Sequence, residues 1–278
     1  MKKSLIAALL SMSLFGANAS TNTCNVVVPF GAGGPADMYA RLMQRINPDI
    51  VRVENKPGAY SAPAMAFLEN NKNFILLSAP GMYSPKNPSK NIDLEALEVV
   101  ILTNLIGVTN SDITFDDLLT KPLNVGIAVF GGSGQILAAQ LKERNPLLQI
   151  IPHGGDAKSL PLLMNKDIHL NIMNSSNGVQ WINDFKFKPL FEIPLGKQTI
   201  VKNGVTLDNY SIWVAFIHKD ASPEQKQVLK SCLNKVTSSP IWKQELLKTA
   251  SAPVSLPPGT TPDTIIKNYA NALTKYAN

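Results

Sequence analysis

Cysteine, histidine and charge are all scarce in this 278-residue chain: two cysteines, three histidines, and 17% charged residues. The histidines, His153, His169 and His218, stand at no spacing that would bring one onto a metal with another histidine, a cysteine or a carboxylate. A metal centre is therefore not expected. Basic runs are missing too. The formal charge of +6 is scattered, so no track for nucleic acid is expected. No pair of acids flanks a glycine-rich segment, which removes the usual general acid and base. Beyond the first residues, no apolar run approaches the roughly 20 residues that span a bilayer. The two cysteines, Cys24 and Cys232, lie far apart in sequence. In an oxidising compartment they form one disulfide or remain two buried thiols; both readings stay open here.

What the chain does have begins at its first residues. Lys2 and Lys3 precede an apolar stretch from Leu5 to Phe15, broken only by Ser11 and Ser13. Ala17-Asn18-Ala19 follows, with small residues where a signal peptidase reads. Residues 1–19 are therefore expected to be an export signal cleaved before Ser20. Removing them leaves about 259 residues and lowers the formal charge to +4. Cys24 follows Thr-Asn-Thr, which is not a lipidation signal. A soluble exported protein is expected.

Hydrophobic patterning then places two similar units. Asn25 to Phe30 is β-branched and apolar and reads as a buried strand. Gly31-Ala32-Gly33-Gly34-Pro35 breaks it, and Asp37 to Ile46 carries a helical stripe. Strands at Ile50 to Glu54 and Phe74 to Leu77 bracket a helix at Ala62 to Leu68. The pattern restarts with a strand at Leu123 to Ala128 and the loop Phe130-Gly131-Gly132-Ser133-Gly134. A helix at Gln135 to Glu143, a strand at Gln149 to Pro152, a helix at Ala157 to Met164 and a strand at Ile168 to Met173 follow. Alternating strands and helices imply parallel sheets. The fold class is α/β, with two domains, each carrying a glycine-rich loop after its first strand. Such loops expose N–H groups beside a helix N-terminus, which suits an anion. Three helices close the chain: Pro223 to Thr237, Ile241 to Thr249 and Pro262 to Tyr276.

Two motifs invite enzymatic readings. Gly31, Gly33 and Ala36 fit G-x-G-x-x-A, and Glu54 follows at a suitable distance for a dinucleotide fingerprint. Export to a compartment where free NAD is not expected, and Pro35 at the head of the helix, argue against it. Ser133 resembles a nucleophile elbow, but Gln135 stands where G-x-S-x-G needs glycine. Ser133 is better read as a loop hydroxyl that contacts a ligand or caps the helix. Trp213, in the apolar strand from Tyr210 to Phe216, reads as core or hinge packing, with a ligand-wall role as the lesser alternative. No cofactor and no catalytic residue are expected.

Val28-Pro29-Phe30-Gly31-Ala32-Gly33-Gly34-Pro35-Ala36-Asp37 and Ala40-Arg41-Leu42 resemble the first strand, loop and helix of the Bug-type receptors. These are the periplasmic substrate-binding components of tripartite tricarboxylate transporters. Val53-Glu54-Asn55-Lys56-Pro57-Gly58-Ala59 is similar to the family's second signature. Gly132-Ser133, Ile151 to Gly155 and Trp213 to Pro223 continue the resemblance in order.

The resemblance implies a two-domain clamshell of the periplasmic binding protein type. One domain comprises residues 20–121 with 212–278, the other residues 122–211. A small organic acid would sit between the loops and be delivered to a membrane permease by a monomeric receptor. Ligand contacts are then expected from Phe30, Gly31, Ala32, Gly33, Gly34, Ala36 and Asp37 of the first loop, and from Ser78. The second domain would contribute Gly132, Ser133, Gly134, Gln135, Gly155 and Asn174. The chain departs from the family at Pro35 and Ala36, at Ile136 in place of a histidine, and at His169 and Met173 near a strand that usually carries acids. These departures imply a site remodelled for a less charged ligand, or one that binds no carboxylate at all. The alternatives are a sensor or partner-binding protein on the same fold and, less favoured, an enzyme that uses a nucleotide.

Overall fold

Three consecutive β-branched residues, Val26 to Val28, give the chain its first buried strand, β1 (Cys24–Val28). The computed structural model describes residues 23–58, 61–83, 93–195, 197, 199–209, 211–254, 256 and 259–276. The expected export signal, residues 1–19, lies outside the described residues. β1 stops at Val28 rather than at the expected Phe30, because Pro29 has no N–H to give a ladder. α1 (Pro35–Ile46) starts at Pro35, where a missing N–H costs nothing, and buries Tyr39, Ala40, Leu42 and Met43. β2 (Val51–Asn55), α2 (Ala62–Asn70) and β3 (Phe74–Ser78) follow. β1 lies between β2 and β3, parallel to both, with Val26 opposite Val53 and Ile75.

A 3-10 turn at Pro80–Tyr83 leads on to β4 (Leu94–Thr103) and β5 (Leu105–Thr109). α3 (Phe115–Thr120) carries a capping box between Thr114 and Asp117. The second unit is β6 (Asn124–Ile127), α4 (Ser133–Arg144), β7 (Gln149–Pro152), α5 (Asp156–Met164) and β8 (Leu170–Asn174). β6 lies between β7 and β8, parallel to both, which repeats the arrangement of β1 between β2 and β3. The echo in the sequence is thus an echo in topology. α6 (Ser175–Phe185), β9 (Lys188–Ile193), and the hairpin β10 (Thr199–Lys202) and β11 (Val205–Asp208) complete this part. The chain ends with β12 (Ser211–His218), α7 (Pro223–Thr237), α8 (Pro240–Leu247), β13 (Ser251–Pro253) and α9 (Pro262–Lys275).

Two larger sheets define two lobes. The first has the order β13-β4-β12-β3-β1-β2 and the second β7-β6-β8-β5-β9. β5 pairs antiparallel with β8 and β9, so the chain changes sheet at Asn104. The domain boundary was expected at 121/122; hydrogen bonding of β5 places residues 105–109 in the second sheet, and Phe115 and Leu118 of α3 pack in the core of that lobe. The chain returns with β12, which pairs with β3 and β4. The lobes are therefore joined at Asn104 and again between β11 and β12.

Each lobe has its own apolar core. Val28, Met43, Ile75, Trp213 and Trp242 pack in the first; Phe115, Val125, Leu141 and Phe191 pack in the second. Cys24 and Cys232 are disulfide-bonded, which decides between the two readings of the cysteines and ties β1 to α7. α9 straddles the lobes: Ile266 joins the first core, while Tyr269 and Leu273 pack on Ile136 of α4. Among the described residues, no helix is long and apolar enough to cross a membrane.

Candidate functional site

The carboxyl ends of the parallel strands in both lobes open onto one cleft of about 330 Å3. Ligands of α/β sheets gather at such strand ends. Phe30, Gly58, Ser61, Ser78, Ala79 and Gly81 line it from the first lobe. Ala128, Val129, Phe130, Gly131, Gly132, Pro152 and Gly154 line it from the second. None of these residues is charged. An anion held here would rely on N–H and O–H donors rather than on a lysine or arginine.

The first loop is held by a polar strut. The Gly33 N–H donates to Asp37 Oδ2 at 3.0 Å. Asp37 Oδ1 accepts from Arg41 Nε at 3.2 Å and from Asn55 Nδ2 at 3.0 Å. Asn55 Nδ2 also reaches the Phe30 carbonyl at 3.1 Å. Asp37 thus fixes the loop from behind instead of facing the cleft. Gly31, Ala32 and Gly33 are exposed and outside the cleft wall, and Ala36 is buried in the core of the first lobe. Of the expected first-lobe contacts, Phe30 and Ser78 line the cleft.

The second loop is braced in the same way. Gln135 Oε1 accepts from the Gly131 N–H at 2.5 Å, and the Gly132 N–H donates to the Val129 carbonyl at 3.3 Å. Ser133 Oγ lies 3.1 Å from the Tyr269 hydroxyl, and the Ser133 carbonyl accepts from Asn209 Nδ2 at 2.8 Å. The hydroxyl expected to touch ligand is therefore bonded to the straddling helix α9. Gly132 lines the cleft. Gly134 packs with its α-carbon against the Ile172 carbonyl, where a Cβ would stand 3.1 Å away. Gly155 caps α5 at φ +133°, which a residue with a side chain rarely adopts. His153 props this turn: Nδ1 lies 2.9 Å from the Gly155 carbonyl and Nε2 2.9 Å from Asn171 Oδ1. Asn174 Oδ1 is buried with no hydrogen-bond partner among the described residues.

The lobes touch at the cleft. A Cβ placed on Gly81 would stand 1.9 Å from the Gly131 carbonyl oxygen. Both partners are backbone, so no side chain could move aside.

One layer inward, Phe30 and Trp213 meet residues that the sequence did not single out for the site. Tyr39 and Phe30 both pack edge-on against Trp213, with centroids 5.7 and 6.1 Å away. The Tyr39 hydroxyl is 2.8 Å from Ser251 Oγ. Burial pushes its pKa up, the hydroxyls of Ser251, Thr103 and Ser176 oppose this, and Asp156 adds to the rise. Asp156 opens α5 in the other lobe and is 3% exposed. Burial raises its carboxyl to about 7. Both Asp156 oxygens and Trp213 Nε1 are buried without a hydrogen-bond partner among the described residues, whereas the Ser176 hydroxyl acts on Tyr39. In the sequence, Tyr39 is one more member of an apolar helical stripe. Asp156 looks like the usual acid of a first helical turn. Only burial sets them apart.

Among the described residues, no group of three histidines, cysteines or acids could hold a metal. No family model matches the chain. A UPF0065 protein of Bordetella pertussis is 24% identical over 276 residues, covering 85% of this chain and 84% of the relative. Three solved structures are similar throughout. Rpa4515 of Rhodopseudomonas palustris, with adipate, has a TM-score of 0.76 at 18% identity, over 92% of this chain and 95% of its own. The periplasmic binding protein BugD has 0.72 at 21%, over 92% and 95%. MatC of Rhodopseudomonas palustris, with bound malate, has 0.72 at 17%, over 91% and 97%. The chain has the fold of the Bug-type periplasmic binding proteins, the family that its motifs resemble.

Proposed function

We propose that this chain, a Bug-type periplasmic binding protein by its fold, captures a small organic acid or related metabolite between its lobes. One observation carries the reading. The corresponding loops of two topologically equivalent lobes face each other across a cleft with no charge among its described lining residues, and the lobes touch where both backbones are glycine. Such a cleft suits a small solute enclosed by closing lobes. The adipate and malate in the two similar structures point to carboxylates of about this size. We place the protein in the periplasm, after cleavage near Ala19, and assign delivery to a membrane permease from the family resemblance. Phe30, Ser78 and Gly132 are proposed as ligand contacts. Gly31 to Gly34, Asp37, Ser133 and Gln135 act behind them by shaping the loops.

Thermal unfolding in the presence of C4 to C6 carboxylic acids and amino acids tests this. A ligand at 100 times its Kd stabilises by about 2.7 kcal/mol. For a protein of this size that raises Tm by roughly 5–10 °C. A panel in which no acid moves the Tm would remove the receptor reading.

A further inference from the structure

The backbone crosses between the lobes at Asn104 and again between β11 and β12. Helix α9 is a further connection, made by side chains alone. Its first turns belong to the first lobe, where Ile266 is buried in a core with Met65, Leu76 and Phe216. Its later turns leave that core. Tyr269 and Leu273, 3% and 1% exposed, pack on Ile136 of α4 in the second lobe. These three buried side chains form a small cluster of their own, apart from both lobe cores.

The same half of α9 grips the second cleft loop. The Tyr269 hydroxyl lies 3.1 Å from Ser133 Oγ and donates to the Gly131 carbonyl at 3.5 Å. Gln135 Nε2 donates to the Tyr276 carbonyl at 3.4 Å. The Gly131 carbonyl is also the atom that a Cβ on Gly81 would strike. Gly131 and Gly132 line the cleft, so the wall of the second lobe rests on two parts of the first: the 3-10 turn and α9. Parting the lobes must free α9 from one of them. Its cluster on Ile136 is the smaller of its two contacts and gives way first.

We infer that α9 is the latch of the clamshell and that Tyr269 is its positioning residue. Tyr269 ties the loop from Gly131 to Ser133 to the first lobe, and the cleft opens when that tie breaks. The inference rests on the closing lobes of the receptor reading and adds what holds them together. A tyrosine suits this place. Its ring packs as core, while its hydroxyl trades a protein partner for water on opening, a small net change.

The test uses the full chain without solute. Nitroxide labels at Asn70→Cys in α2 and Met164→Cys in α5, both exposed positions, report the distance between the lobes by double electron–electron resonance. Tyr269→Phe keeps the ring and removes the hydroxyl. It should raise the ratio of long to short distances about 3- to 10-fold, the worth of a neutral hydrogen bond. Ser133→Ala should raise it by no more than this, and the double variant no further than Tyr269→Phe, because both substitutions remove one interaction. Leu273→Ala loosens the apolar part of the contact and should raise the ratio by about 10-fold or more. A natural circular dichroism spectrum identifies the folded variants. Distance distributions that stay unchanged in all of them would overturn the inference, since a side chain that only packs α9 leaves the lobes where they were. Additive shifts from Tyr269→Phe and Ser133→Ala would overturn it too. The two readings fail separately: a silent acid panel removes the receptor, whereas lobe distances that do not move remove only the latch.

Discussion

Asp156 shows how burial changes a common residue. At a helix head an exposed aspartate stabilises the dipole. Here it is withdrawn from water, and its carboxyl rises from 3.8 to about 7. The sign follows directly. Between those two values the unfolded chain releases a proton that the folded chain keeps. Stability therefore falls as pH rises through the window and levels off above about 7. The integrated loss is about 4 kcal/mol. Tyr39 across the junction, and His153 and Lys158 on the same loop and helix, are the titratable groups nearby. They are unchanged in Asp156→Asn, so the difference between the two proteins isolates the carboxyl. The ligand-free variant should melt with the natural chain near pH 4 and well above it near pH 8. A constant gap across that range would contradict the burial argument. The deep burial of Tyr39 and Asp156 was not legible in sequence, because nothing in an apolar stripe or a helix head reveals which side is withdrawn from water. Ser78 and Gly132 were legible because one ends a strand and the other lies in the loop that follows one, and strand ends converge.

At the scale of elements, the sequence was clearest where a strand, a glycine break and a helix follow one another. The α1, α4 and α7 helices and all the parallel strands appear close to their expected places. α6 was missed. Its segment, SSNGVQWINDF, holds glycine, asparagine and serines that favour turns. Tertiary packing overrides this: Gly178 lets the helix approach Ile106 so closely that a Cβ would stand 2.5 Å from its Cγ2. The antiparallel strands β4, β5 and β9 were also unassigned, since their partners are remote in sequence. The disulfide joins two elements of the first lobe, and its loop spans a separation of 208 residues. Closing so long a loop constrains the unfolded chain, so Cys24→Ala/Cys232→Ala should lose roughly 3–5 kcal/mol. Urea unfolding monitored by tryptophan fluorescence reads this, as Trp213 and Trp242 sit in that lobe's core. An unchanged midpoint would mean that the cross-link contributes nothing to folding.

For the whole molecule, the important contact is the one between lobes at Gly81 and Gly131. A methyl group at Gly81 fits only if the lobes separate. Gly81→Ala should therefore still fold, since each lobe keeps its own core, yet bind at least 10-fold more weakly, a difference of about 1.4 kcal/mol. Small-angle scattering at saturating ligand should show a larger radius of gyration than for the natural chain. Equal affinity and equal compaction would show that closure does not bring these two glycines together. The first sheet is built from both ends of the chain, whereas the second lobe is continuous from residue 105 to 208 apart from what lies between its elements. As the chain emerges from its amino end, β3 and β4 wait side by side with an empty lane between them, which β12 fills only near the end. The second lobe can mature while the first still presents bare strand edges, the surface most prone to adhesion between chains. In order of birth, the lobe with the lower numbers is the younger one.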